Sequence, residues 1–215
     1  MPLLEDSPVV VAVIGSERTD GDTAAVVRSC EGLLEERGVR LETVMLAEQT
    51  MVACGPCGGC NFRDSRCVID DDVPTIVERL ISADGIIYAV PVHGFGTASL
   101  LQTFIERAGV GYLRFDRPLA NKVGGVIVVG RRYSHLDVVS QLYHNMMLNR
   151  MLLVGSGFPA IFTTEAGRPP LDDAEGVAAL EAMLDRMAEA IWLLREHEQA
   201  FGRRMKVSDS RERAS

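Results

Sequence analysis

Short, wholly apolar runs alternate along this chain with longer amphipathic segments, and this alternation constrains the fold more than any other feature. The first run is Val9–Ile14, and residues 85–90 and 123–129 have the same character. Strands that are apolar at every position are typical of a parallel sheet covered on both faces. The sequence therefore predicts an α/β fold, a doubly wound sheet of five parallel strands with helices on both faces.

The remaining elements follow from the same patterns. Two more strands are expected at residues 39–46 and 151–154, with a short additional strand at 160–164. Apolar residues at helical spacing predict helices at residues 23–37, 73–82, 99–108, 136–150 and 176–197. We expect residues 1–200 to form a single domain and the charged residues 201–215 to be a disordered tail.

Composition restricts the partners and the compartment. The 215 residues carry a formal net charge of −8, so the chain gains no general attraction to nucleic acid. The segment that begins at Met1 lacks a basic region, and the apolar run that follows is too short to span a membrane. We therefore expect a cytoplasmic protein that binds neither nucleic acid nor membrane, with its cysteines as reduced thiols or metal ligands.

The turn after the first strand is suited to a phosphate group. It joins a buried strand to a helix, where free backbone amides and the helix dipole favour an anion. Ser16 and Thr23 can donate hydroxyl hydrogen bonds, and Arg18 can donate a charge-assisted pair. The spacing matches neither a dinucleotide fingerprint nor a Walker loop. An ordinary strand-to-helix turn, capped by Asp20 or Asp22, explains the same residues.

Four cysteines fall within fourteen residues and form the second candidate site. The spacing is Cys54-x2-Cys57-x2-Cys60-x6-Cys67, with glycine and proline between the thiols. Four thiolates suit tetrahedral zinc or an iron–sulfur cluster. Successive two-residue gaps favour a cluster, because zinc ligands more often come as two separated pairs. Free thiols in a glycine-rich turn remain the third interpretation.

In this order, these motifs resemble the NADPH-dependent FMN reductase family of the flavodoxin-like superfamily, and especially its iron–sulfur flavoprotein branch. Residues 15–23 resemble the family's FMN-phosphate loop, and the four cysteines resemble the compact motif of the branch. Residues 83–93 and 100–107 resemble the strand, flavin-ring loop and helix that follow. Residues 130–132 resemble the third flavin loop, so the likeness covers about residues 8–155.

The resemblance implies a site for one FMN. It implies that the phosphate is held by Ser16, Arg18, Asp22 and Thr23. It places against the isoalloxazine the residues Pro91, Val92, His93, Gly94, Phe95 and Gly96, and at its pyrimidine end Gly130, Arg131 and Arg132. Asp22 departs from the asparagine usual in the family, and its carboxylate would repel a phosphate unless it turned away to cap the helix.

The resemblance also implies the reaction. We expect an FMN-dependent oxidoreductase that transfers hydride or electrons between NAD(P)H, or a small organic substrate, and an acceptor. Cys54, Cys57, Cys60 and Cys67 would hold a [4Fe-4S] cluster that relays single electrons. His93 is the candidate acid, base or substrate-orienting residue.

Two other functions fit the same motifs. One is a flavin and iron–sulfur carrier that passes electrons between protein partners, and the other is a non-redox module with zinc in the cysteine loop. The expected assembly is a homodimer or homotetramer.

Overall fold

The computed structural model describes residues 3–4, 6–61, 67–114 and 116–205. The strands are β1 (Val9–Ile14), β2 (Arg40–Met45), β3 (Gly85–His93), β4 (Gly96–Thr97), β5 (Val123–Gly130), β6 (Leu152–Leu153) and β7 (Ala160–Thr163). The α-helices are α1 (Asp22–Glu36), α2 (Val73–Ser82), α3 (Ser99–Ala108), α4 (His135–Leu148) and α5 (Ala174–Phe201). A π-helical turn, Gly109–Leu113, continues α3.

The strands form one twisted α/β sheet in the order β2-β1-β3-β5-β6, with these neighbours parallel. This is the doubly wound, flavodoxin-like arrangement that the sequence predicts. The two short strands β6 and β7 both pair with β5, at its start and at its end. Both strands were predicted, at 151–154 and 160–164, and the structure shortens the first to Leu152–Leu153.

Alternate residues of the central strands supply two separate cores. In β1, Val11 and Val13 face α2, α3 and α4, whereas Val10 and Ala12 face α1 and α5. Both sets are buried, which explains why the strand is apolar at every position. Helices therefore cover both faces and leave the strand ends as the place for a ligand.

Strand β3 runs further than its sequence predicts. Pro91 was expected to end it, yet the strand continues to His93 and turns back through β4. Proline is tolerated here because β1 stops opposite Ala89, so only β5 pairs with Pro91. The extension carries His93 past the carboxyl end of the neighbouring strand β1.

The carboxyl end of the described chain lies near the start of β5, at the opposite end of the strands from His93. After α5, Asn121 Nδ2 donates a hydrogen bond to the Met205 carbonyl at 2.8 Å. The disordered tail was predicted for residues 201–215; Phe201 is the last residue of α5, and residues 206–215 lie outside the described residues. No helix in the described ranges is both long and apolar enough to cross a membrane.

Candidate functional site

A cleft of about 400 Å³ opens at the carboxyl ends of β1, β3 and β5. The last residues of β3 and β5 and the turn from β1 into α1 form most of its walls, as expected for a ligand site in a doubly wound sheet. Its lining residues are Ser16, Glu17, Arg18, Asp22, Thr23, Pro91, Val92, His93, Val129, Gly130, Arg131 and Thr164. Most of the predicted FMN-binding residues line this cleft, and the exceptions are Gly94, Phe95, Gly96 and Arg132.

The first wall combines a folded turn with an uncapped helix. Ser16 is buried, and its Oγ accepts a hydrogen bond from the Arg18 amide at 3.1 Å. Helix α1 begins after Gly21, and among the described residues no side-chain cap is found at its start. Asp22 is the first residue of the helix and does not cap it, so the condition under which its carboxylate would not repel a phosphate is not met. The amides at this helix start remain available to an anion.

Arg18 lies over the start of α1. A Cβ atom at Gly21 would be 3.2 Å from both Cβ and Nε of Arg18, so this side chain packs closely against Gly21. The guanidinium is thereby held beside the uncapped amides while remaining solvent-exposed. A positive charge and free N–H donors at one point form a phosphate-binding arrangement.

The second wall is the tight hairpin between β3 and β4. Gly94 and Phe95 occupy its turn with φ of 53° and 65°, and His93 pairs with Gly96 across it. Positive φ at both central residues is typical of the turns that connect two-residue hairpins. Phe95 is 73% exposed at the tip. His93 is exposed and lines the cleft, so its ring is accessible to a bound molecule.

The third wall follows β5 and depends on close packing. A Cβ atom at Gly130 would lie 2.8 Å from His135 Nε2 and 3.2 Å from the Val92 Cβ. His135 is buried beneath the loop, and within the described residues its Nε2 has no hydrogen-bond partner. Its position beside the cleft was missed from the sequence, which indicated only a surface or packing histidine.

Thr164 was also missed. Its amide donates to the Gly130 carbonyl at 2.9 Å, which places it in the cleft wall directly after β7. The short apolar run before Thr164 predicted a strand. Nothing in that run shows which strand it pairs with, so the position of Thr164 in the cleft could not be predicted. Sequence patterns identify elements more readily than their neighbours in space.

The predicted metal ligands lie on a separate segment, residues 54–67, called here the cysteine segment. Cys54 and Cys57 are exposed, Cys67 is half-buried and Cys60 is buried. Across the described ranges, no three His, Cys, Asp or Glu side chains are gathered so as to hold a metal ion. The donor set nevertheless has the chemistry of a thiolate-bound centre. Beside the segment lies a buried N–H, Arg107 Nε, that has no hydrogen-bond partner within the described residues and suits a sulfur acceptor.

A doubly wound parallel sheet with a cleft at the carboxyl ends of its strands, beside an uncapped helix start, has the architecture of a flavodoxin-like fold. The sequence model of the NADPH-dependent FMN reductase family matches residues 8–165. The chain belongs to this family, and within it to the iron–sulfur flavoprotein branch.

Two relatives illustrate the branch. An iron–sulfur flavoprotein of Methanocaldococcus jannaschii is 30% identical over 196 residues, which cover 87% of this chain and 99% of the relative. An iron–sulfur flavoprotein of Methanosarcina thermophila is 26% identical over 87% of this chain and 97% of its own length.

Solved structures show the same fold at low identity. RosB, solved with bound 8-demethyl-8-formylriboflavin-5'-phosphate, superposes with a TM-score of 0.71 at 18% identity. That likeness covers 88% of this chain and 81% of RosB. FerB of Paracoccus denitrificans, an NAD(P)H:acceptor oxidoreductase, gives a TM-score of 0.64 at 14% identity, covering 86% of this chain and 98% of FerB. Family and site together define an FMN-dependent oxidoreductase.

Proposed function

We propose that this protein transfers hydride from NAD(P)H, or from a small organic substrate, to FMN and passes the electrons on through a cluster in the cysteine segment. The observation that carries the proposal is the cleft, in which an uncapped helix start and two ring-bordering loops converge. FMN supplies the redox chemistry when bound, and the protein orients it and excludes competing reactions.

The phosphate end would be held by the first wall. Amides at the start of α1 and the Arg18 guanidinium would donate to the phosphate oxygens, and the hydroxyls of Ser16 and Thr23 are close by. The Asp22 carboxylate also lines this wall and opposes a second negative charge there. Donation by amides and Arg18 would have to outweigh that repulsion.

The ring end would lie between the second and third walls. Pro91 and Val92 offer an apolar surface, and Arg131 at the opposite wall offers a cation to the pyrimidine end. A cation there favours the negative charge that develops on a reduced flavin. His93 is exposed at the cleft and would orient a substrate or exchange a proton with it.

The test of this function is anaerobic reduction of the FMN-loaded protein by NADH and by NADPH. We expect one of the nucleotides to bleach the flavin absorbance at a rate that saturates with its concentration. Reduction by a chemical reductant, but by neither nucleotide, would contradict hydride transfer from NAD(P)H. Electron exchange with an added redox protein in that case would favour the carrier function.

Arg18→Ala tests the phosphate assignment. Removing a charge-assisted hydrogen bond costs about 1.5 kcal/mol at an exposed position, so FMN affinity should fall roughly tenfold. Fluorescence titration of the apoprotein with FMN measures this change. Arg28→Ala is the matched control, because Arg28 is an exposed arginine further along α1, outside the cleft. Equal affinities for both variants would mean that Arg18 does not contact the phosphate.

A further inference from the structure

A buried ion pair lies next to the cysteine segment. Arg107, in the last turn of α3, is 1% exposed, and the Asp71 side chain is 0% exposed. Two guanidinium nitrogens donate to the two carboxylate oxygens at 2.7 and 3.1 Å. Such a pair is costly to bury, so it is weak evidence for stability and calls for another role.

The pair joins the two ends of the cysteine segment. Arg107 also donates to the Val52 carbonyl, two residues before Cys54. Asp71, four residues after Cys67, accepts from the Val52 amide at 3.1 Å. One side chain from α3 therefore contacts the backbone that enters the segment and the carboxylate that follows it.

A second set of hydrogen bonds also joins the two ends of the cysteine segment. The Thr50 amide donates to the Asp72 carboxylate at 2.7 Å, and the Asp72 amide donates to the Thr50 carbonyl at 3.0 Å. The entry and exit of the segment are thus paired directly.

Arg107 also reaches the last cysteine. Burial would lower the pKa of its guanidinium, but the Asp71 carboxylate, which accepts its hydrogen bonds, and nearby Cys67 raise that pKa above its usual value. A Cβ atom at Gly111 would be 3.1 Å from the Cys67 Cβ, so the π-helical turn packs closely against this cysteine. The end of α3 consequently fixes the position of Cys67.

Of the ionisable groups in and beside this ion pair, Arg107 is the cation that lies near Cys67. Burial would raise the pKa of Asp71, yet hydrogen bonds from Arg107 and from the Val52 and Val73 amides lower it, so the carboxylate stays ionised. Burial raises the pKa of the Tyr112 hydroxyl, which is uncharged at neutral pH. A positive charge with a spare buried N–H therefore lies at the cysteine segment.

We propose that Arg107, held by Asp71, is the positioning residue of the cysteine segment: it clamps both ends of the loop and sets a fixed positive charge against Cys67. This inference rests on the proposed cluster for its redox consequence, but the clamp itself exists without metal. Hydrogen bonds and cations beside thiolate ligands raise the reduction potential of an iron–sulfur centre. Loss of Arg107 should therefore shift that potential to a more negative value.

The test compares three variants of the full chain. Arg107→Met with Asp71→Leu replaces the buried pair by apolar side chains, a change that usually preserves folding. Arg107→Lys keeps the positive charge but removes the bidentate contact with Asp71. Arg79→Met is the matched control, because Arg79, on the neighbouring helix α2, forms an exposed ion pair with Glu42 of strand β2.

Deuterium exchange and metal content are read on the same samples. In the double variant we expect amide exchange across residues 50–72 to rise roughly tenfold or more, while β1 and β5 are unchanged. Arg107→Lys should give a smaller rise, and Arg79→Met none. We also expect faster iron loss to a chelator in the double variant.

The outcomes separate the clamp from the cluster. If wild-type protein reconstituted with iron and sulfide binds no iron, the proposed cluster fails, and the exchange data still decide the clamp. If exchange across residues 50–72 is the same in the wild type and the double variant, the clamp is wrong whatever the iron content. Iron loss and exchange that both rise would support clamp and cluster together.

Discussion

Gly130→Val should abolish stable FMN retention. The added Cβ would lie 2.8 Å from His135 Nε2 and 3.2 Å from the Val92 Cβ, and valine adds two methyl groups beyond it. Neither neighbour has space, because His135 is buried and Val92 belongs to the sheet. Relief requires the second and third walls to separate, at a cost of about 3 kcal/mol, which corresponds to roughly hundredfold weaker binding.

The measurement is FMN titration of the apoprotein, combined with thermal unfolding without FMN. Gly155→Val is the control, since a Cβ there meets nothing within 4 Å and Gly155 lies in the exposed loop after β6. We expect the control to bind FMN like the wild type. Wild-type affinity in Gly130→Val would show that the loop after β5 does not border the flavin.

The sequence predicted the layers of this fold well, because those layers depend on local patterns. Apolar periodicity placed α2 and α3 at their observed bounds. Both helices carry their own signals, a proline in the first turn of α2 and a clear apolar face in each. The central strands were predicted equally well, because burial on two faces leaves them apolar throughout.

Features that depend on neighbours in space could not be predicted. The extension of β3 past Pro91 relies on β1 ending first, and the split edge relies on β5 accepting two partners. Similarly, His135 gives no sign in its own segment that it lies beneath Gly130. Local propensity does not encode these arrangements, so they follow only from tertiary packing.

The candidate site likewise contains residues that local sequence patterns predict and residues that they do not. Ser16 and Arg18 were predicted because the turn that contains them is local, and they line the cleft. The contact between Arg107 and Asp71 joins residues 36 positions apart, and each residue alone resembles an ordinary surface charge. Burial of both side chains is what distinguishes them, and burial is a property of the folded chain.

Cys57→Ser should remove the iron from anaerobically purified protein and leave its FMN in place. Serine does not replace a thiolate ligand for iron, and Cys57 is exposed, so the change should not disturb the core. We expect about four irons per chain in the wild type and close to none in the variant. Iron and sulfide analysis with a visible spectrum of the same sample measures both cofactors.

Cys30→Ser provides the matched control because it alters a cysteine that cannot act as a ligand. Burial raises the pKa of Cys30 to about 12, so the thiol stays protonated, and its Sγ donates to the Val26 carbonyl at 3.4 Å. A serine hydroxyl can make the same hydrogen bond, so iron and FMN should both be retained. Unchanged iron in Cys57→Ser would show that Cys57 is not a ligand. Zinc in place of iron in the wild type would favour the non-redox module, and a wild type without either metal would leave the four cysteines as free thiols beside a simple FMN reductase.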